Sequence, residues 1–340
     1  MHPKTHAFMR LSMRLPSIRR AKTRSRSDSR RIATGTAGVE TTPVTVAALV
    51  GATEARLRRA RLWYGHGTDN PRDEAAALVF AAAGYRHTAA PAAYRWRVPE
   101  AAQRKLARLL ERRIRNRVPA AYLTGRTWFA GHEILVDRRV IVPRSPLAEF
   151  ILERGSPFVR WARVRRILDI GTGSGCIAIA AAYAFSGARV DATDRSARAL
   201  EVARLNVRRH RLSRRVRPIK ADVYSGLGAR RYDMIISNPP YVPEREVRRL
   251  PAEYRHEPRA ALAAGHDGLA VVARILEGAA DHLTPDGVLV VEVGNSERRV
   301  ARRWPNLPLI WLEFAHGGGG VFLITRRELV RAQSAARTSA

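Results

Sequence analysis

The chain has 340 residues, enough for one large or two ordinary domains, and its 46% hydrophobic content supports a substantial core. The single cysteine, Cys176, excludes an intrachain disulfide and a cysteine-based zinc site, and no apolar run reaches membrane-spanning length, which together suit a reducing cytosol. The formal charge of +31 favours polyanions such as RNA, but only Lys4, Lys22, Lys105 and Lys220 among the 61 basic residues are lysine, so the bias reflects arginine-rich coding and implies incidental RNA affinity without base reading.

Residues 1–40 are rich in Arg and Ser, with Asp28 and Glu40 the only acids, and read as a basic disordered tail. Their composition is that of an organellar transit peptide, although the arginine bias runs through the whole chain and favours a bacterial tail or an over-extended gene start. Residues 41–125 carry helical spacing: Val46, Leu49, Val50 and Leu57, then a helix capped by Asp69-Asn70-Pro71, then one opened by Pro99 with the stripe Leu106, Leu109, Leu110 and Ile114. They read as a small helical, substrate-recruiting domain. In it the His66 loop is a helix–helix turn or takes a direct part in substrate choice. Residues 126–146 form a linker in which Trp128 to Val142 alternates as a β-hairpin. Arg144 and Glu149 follow, where a surface ion pair is one reading.

From 147 to 330 strands alternate with helices. Expected strands are 166–170, 189–193, 216–220, 234–237, 288–293, 309–314 and 321–325; expected helices are 175–185, 197–210 and 269–283. That order predicts a doubly wound α/β sheet of seven strands. The short His316–Gly320 turn between the last two makes one of them antiparallel. Residues 242–265 are long and charged, a natural flap, and 331–340 read as a disordered tail.

The strand at 166–170 runs into Gly171-Thr172-Gly173-Ser174-Gly175. The G-x-G-x-G spacing is not that of nicotinamide enzymes, and no Gly-Lys-Ser/Thr end marks a phosphate loop. Asp169 just before it is awkward for a phosphate and natural for a cationic ligand such as S-adenosylmethionine, which carries a sulfonium and an ammonium. Asp194 ends the next strand, where an acid can accept ribose hydroxyls. Asp222 ends the third and can accept from an adenine amino group. Taken singly, each of these two acids also suits a loop cap. After the fourth strand comes Asn238-Pro239-Pro240-Tyr241. Ligands of open α/β sheets gather at this edge. The Asn238 side-chain oxygen and the Pro239 carbonyl can hold a planar NH2 group by two acceptors at once. No His, Asp or Glu cluster has metal-ligand spacing.

The run from Leu168 to Tyr241 resembles a class I methyltransferase, and its Asn-Pro-Pro-Tyr form resembles the protein-glutamine N5-methyltransferases. The branch that modifies large-subunit ribosomal protein L-three is suggested by Tyr64-Gly65-His66-Gly67-Thr68-Asp69-Asn70, Val118 to Thr124, Val142-Pro143-Arg144-Ser145-Pro146, Pro251 to Pro258, Val291-Glu292-Val293-Gly294-Asn295-Ser296 and His316 to Phe322. The match spans Thr42 to Leu329, departing at Gly319, where the family's acidic residue is missing. It implies that Asp169, Gly171, Thr172, Gly173, Ser174, Gly175, Asp194, Asp222 and Asn238 line an S-adenosylmethionine site. For Arg144 and Glu149 the resemblance implies the alternative to a surface pair, a place near the cofactor pocket. Asn238, Pro239, Pro240 and Tyr241 are then catalytic, with Pro240 stiffening the loop and Tyr241 packing on the amide. The implied partner is protein L-three, free or in an assembling particle, in the cytoplasm, without metal or membrane. Release-factor glutamine methylation and N6-adenine methylation of nucleic acid are the rival activities.

Overall fold

A computed structural model describes residues 44–86 and 91–338; the expected tail at 1–40 lies outside them. Helices α1 (Val46–Arg59), α2 (Pro71–Ala83), α3 (Glu100–Arg115) and α4 (Ala120–Thr124) share one core that includes Val50, Leu57, Leu78, Phe80, Leu106 and Leu110. Asn70 caps α2 by accepting from the N–H groups of Arg72 and Asp73, and Pro71 occupies the first turn. Strands β1 (Arg126–Phe129) and β2 (His132–Leu135) follow as an antiparallel hairpin. It is shorter than expected. Ala130 and Gly131 both take positive φ, the form of a two-residue turn whose twist matches its strands. Val136, Val140 and Val142 are buried but lie outside any strand; their burial, not strand pairing, explains the apolar pattern there.

The remaining elements are α5 (Leu147–Leu152), β3 (Arg166–Ile170), α6 (Cys176–Ala184), β4 (Arg189–Asp194), α7 (Ala197–Arg209), β5 (Val216–Lys220), β6 (Tyr232–Ser237), α8 (Glu244–Val247), α9 (Ala270–His282), β7 (Leu283–Glu292), α10 (Glu297–Arg303), β8 (Ile310–Trp311), β9 (Val321–Thr325) and α11 (Arg326–Thr338). The seven-stranded sheet has the order β5-β4-β3-β6-β7-β9-β8, and β9 alone runs antiparallel to its neighbours. Residues on alternate sides of each strand feed two cores. Ile167, Met234, Ile236 and Val290 join α6 on one face, whereas Leu168, Ile235, Leu289 and Val291 join α9 on the other.

Two expectations need correction. The strand expected at 309–314 is only Ile310–Trp311, an edge strand that starts just after Pro308 and gives way to the glycine turn. The disordered tail that the sequence predicts over 331–340 is helical as far as it is described, α11 continuing to Thr338. The helix buries Leu329 against the second core, and its many arginines hide that apolar stripe in the sequence. Among the described residues no helix is long and apolar enough to cross a membrane.

Candidate functional site

Strand order decides where the site lies. The chain winds from β3 out to β5, then returns to lay β6 on the other side of β3. That reversal opens a crevice at the carboxyl ends of β3 and β6. Ile170 pairs with Ser237, so Gly171 and Asn238 leave the sheet side by side, and the Ser237 hydroxyl donates to Ile170 O at 2.8 Å. A Cβ on Gly171 would stand 3.8 Å from the Asn238 carbonyl.

Gly171, Gly173 and Gly175 all take positive φ, a path that only glycine follows cheaply. The N–H groups of Gly171 and Thr172 both donate to Thr193 O at 2.8 Å, and Gly173 N–H donates to Asp194 Oδ2 at 3.0 Å. Asp194 Oδ1 accepts from Ser196 N–H at 2.8 Å. Asp194 therefore braces the loop and caps the turn into α7. Burial raises its pKa against those hydrogen bonds.

Asp169 is fully buried. Its Oδ2 accepts from the Thr172 hydroxyl at 2.5 Å and from Ala178 N–H at 3.1 Å, while Oδ1 has no partner. Burial pushes the carboxyl up to about 7, with the charge of Asp194 adding to the effect. The Thr172 and Ser174 side chains are buried too, so a ligand meets these two residues through their backbone. Asn206 supports the loop from below. Its Nδ2 donates to Ser174 O and Leu135 O, both at 2.9 Å, and its Oδ1 accepts from Leu135 N–H at 2.8 Å.

Asp222 stands apart from this network. It follows β5 at the sheet edge, and its half-exposed carboxylate pairs with Arg274 at 3.0 Å. Val223 beside it takes φ 57°, a left-handed conformation that β-branched residues rarely adopt.

Asn238 is half-buried and Pro239 buried. The Tyr241 hydroxyl donates to Glu292 Oε1 at 3.1 Å, and the Ser145 hydroxyl donates to Glu292 Oε2. Gly294 makes room for the Tyr241 ring: a Cβ there would come within 2.8 Å of it. The crevice thus collects three buried or half-buried carboxylates, Asp169, Asp194 and Glu292, in a strongly basic protein. An orphaned buried oxygen on Asp169, a positive-φ glycine cradle and the Asp194 carboxylate suit an adenosyl ligand bearing positive charge.

A "Ribosomal protein uL3 glutamine methyltransferase" of Bordetella pertussis is 45% identical over 276 residues, covering 81% of this chain and 93% of that protein. The chain belongs to the ribosomal protein uL3 glutamine methyltransferase family. A protein of the same name from Francisella tularensis is 41% identical over 275 residues, covering 81% of this chain and 88% of its own length. The Methyltransferase small domain family matches residues 157–253, and the PrmC N-terminal domain family matches 54–125. Among solved structures, a methyltransferase from Pyrococcus furiosus matches at 22% identity and TM-score 0.42, covering 57% of this chain and 88% of its own; the family assignment rests on the sequence relatives instead.

Membership of this family gives its sequence blocks physical content. Arg144 does not pair with Glu149. It makes a two-pronged ion pair with Glu257, at 2.7 Å and 2.6 Å, and lies 4.9 Å from the Tyr254 ring centre. Glu149 instead accepts from the N–H groups of Ala315 and His316. Val142 N–H also donates to Glu257, and Glu253 accepts from Arg113 and from Trp63 N–H. Residues 242–265 are therefore a strap pinned at two buried carboxylates, not a free flap. His66 is buried against that strap, its ring edge-on to Tyr254 at 4.6 Å, and burial lowers its pKa to about 3, so it is neutral at physiological pH. Asn206 and Glu292 were missed in the sequence. Glu292 was legible by the logic applied to Asp194, as an acid ending an apolar strand.

Asp169→Asn is expected to fold with near-wild-type stability at acid pH, because its amide oxygen still accepts from Thr172 and Ala178. The folded protein holds the Asp169 proton up to about pH 7, whereas an unfolded chain releases it near 3.8. Wild-type stability therefore falls relative to the variant as pH rises between those values and levels off above them. Urea unfolding of both proteins without cofactor across that range checks the sign.

Proposed function

We propose that this protein transfers a methyl group from S-adenosylmethionine to the side-chain amide nitrogen of a glutamine in ribosomal protein uL3. The observation that carries the reading is the register of β3 against β6, which sets Asn238 and Pro239 beside the glycine loop. The names of the two bacterial relatives support the substrate.

When bound, the cofactor supplies an electrophilic methyl on a positively charged sulfur. Asp169, whose unpartnered Oδ1 is buried, would attract the positive methionine part through its charge, and the backbone of Gly171, Gly173 and Gly175 would let that part approach closely. Asp194 would accept from the ribose. Asp222, once released from Arg274, would accept from the adenine amino group. Asn238 Oδ1 and Pro239 O accept the two N–H bonds of the glutamine amide. An amide nitrogen is a poor nucleophile because its lone pair is shared with the carbonyl. Two acceptors favour the positive charge that grows on it, and they fix its line of attack. Pro240 stiffens the loop, and Tyr241, held by Glu292, excludes water. The extra proton leaves after transfer, so no base must act first.

In this reading helices α1–α4 recruit the substrate, and the enzyme works in the cytoplasm, where ribosomal proteins are made. Polyanion affinity has its own support. A cavity of about 330 Å³ at the amino ends of β3–β5 is lined by Arg166, Arg189 and Arg214, none with a carboxylate partner among the described residues, and by Asp191, whose carboxylate is taken up by Arg217. It lies at the opposite edge of the sheet from Asn238. Binding of an RNA oligonucleotide, followed by fluorescence anisotropy, is expected to weaken steeply with salt and to weaken further in the Arg166→Glu/Arg189→Glu/Arg214→Glu variant.

The test of the activity is incubation with methyl-labelled cofactor and, separately, purified uL3, a peptide-release factor and ribosomal RNA. Label in uL3 is the expected result. Label in the release factor alone would move the protein to the other glutamine branch, and label in RNA alone would overturn the reading.

A further inference from the structure

We infer that Glu292 is a positioning residue, whose carboxylate holds the NH2 end of the Asn238 carboxamide and so turns its oxygen toward the incoming glutamine. The inference rests on the methyl-transfer reading above and deepens it.

An asparagine carboxamide has two ends of nearly equal size. If its NH2 faced the substrate amide, donor would meet donor and the two-acceptor clasp would be lost. Something must choose the orientation, and β7 supplies it. Ser237 of β6 pairs with Val291 of β7, so Glu292, the last residue of β7, lies beside Asn238 as the chain leaves β6. Its side chain is 3% exposed and accepts from Ser145 and Tyr241, and the Asn238 side chain, one residue beyond the paired Ser237, lies close enough to favour its ionised form. An ionised carboxylate can only accept, so it can take only the NH2 end of Asn238. Ser145 and Tyr241 occupy its two oxygens from opposite elements and fix its own direction. With Gly294 packed under the Tyr241 ring, the carboxylate has little freedom to turn.

A protonated Glu292 behaves differently. Its O–H becomes a donor, which can attract the Asn238 oxygen and spoil the clasp. Burial pushes this carboxyl up to about 7, although Ser145, Tyr241, the charge of Arg144 and Asn238 pull it down. The other ionisable groups facing it are Arg144, held charged by Glu257, and Tyr241, whose phenol burial keeps protonated. Of these three groups Glu292 is the one that changes charge near neutral pH, and Asp169, which does so too, bonds to Thr172 and Ala178 and not to Asn238; the active orientation of Asn238 belongs to the ionised form of Glu292.

The experiment is single-turnover methylation of purified uL3 by wild type, Glu292→Gln and Glu292→Asp across a pH series spanning 7, with cofactor affinity and thermal unfolding measured alongside. The wild-type rate should rise with pH through about 7. Glu292→Gln should be slower by about 10–100-fold above that pH, the scale of a lost positioning partner, and should show no such rise. Its cofactor affinity should stay near wild type. Glu292→Asp should recover part of the rate and of the pH dependence. A Glu292→Gln variant with the wild-type rate, or with the wild-type pH step intact, would overturn the inference. A wild-type rate that is flat through 7 would do the same, whatever the stability of the variants. Asn238→Ala run in parallel separates the two levels. If it is slow while Glu292→Gln is normal, only the role of Glu292 falls; if it is itself normal, the methyl-transfer reading falls.

Discussion

Asn238→Ala is expected to lower the single-turnover rate of methyl transfer by roughly 10²–10³-fold, the scale of losing one preorganised hydrogen-bond partner at a reacting centre. Cofactor affinity should change little. The loop glycines are braced by Thr193 O and Asp194, and none of those bonds involves the Asn238 side chain. The fold should also persist, because Asn238 is half-buried and the anchoring of this corner comes from Ser237, Tyr241 and Ser296. The effect should therefore fall on the rate at saturating cofactor, measured by rapid quench with purified uL3. A variant at the wild-type rate would remove the clasp from the account.

Arg113→Ala is expected to destabilise the protein by about 3–5 kcal/mol, the range for leaving a buried ion pair half-empty. Arg113 is 1% exposed, and its guanidinium reaches Glu74 at 2.7 Å, Glu253 at 3.1 Å and the Trp63 carbonyl at 2.8 Å. Truncation leaves Glu74 buried with only the Thr68 hydroxyl, and Glu253 with the Trp63 N–H and the more distant Arg117 at 3.8 Å. Glu74 already has a raised pKa from its burial, despite the arginine beside it. The consequence should reach the strap, because Glu253 is one of its two anchors. Arg113→Met combined with Glu74→Leu and Glu253→Leu removes all three charges and should recover much of the loss, as apolar replacements of buried ion clusters often do. Urea unfolding of the single and triple variants measures both. A single variant within 1 kcal/mol of wild type, on the scale expected of an exposed pair, would contradict the burial argument.

The parts of the site that were legible in the sequence are those where one residue type performs a local task. Asp169, Asp194 and Asn238 stand out because each is a polar residue within one position of the carboxyl end of a strand, and a glycine loop tells where the backbone must turn. Strand ends of a parallel sheet face one edge, so those residues had to meet. What stayed hidden was partnership across long sequence separations. Arg113 and Glu253 are 140 residues apart, and nothing local marks one as the other's counter-ion. The same holds for Arg144 and Glu257, where proximity in sequence suggested Glu149 instead. Asp222 looked like its neighbours at strand ends, yet its carboxylate lies with Arg274, a surface pairing that spacing does not reveal. In α11 the arginines masked a buried Leu329, because composition weighs every residue equally and burial does not.

The central claim is geometric: the glutamine amide is held by Asn238 Oδ1 and Pro239 O beside the Gly171 turn. A crystal structure of the protein with S-adenosylhomocysteine and a glutamine-containing uL3 peptide tests it directly. The account predicts the glutamine side-chain nitrogen within hydrogen-bond distance of both oxygens, with the sulfur of the cofactor product on its far side. A glutamine nitrogen bound elsewhere, or an Asn238 oxygen turned onto Glu292 and away from the peptide, would contradict it.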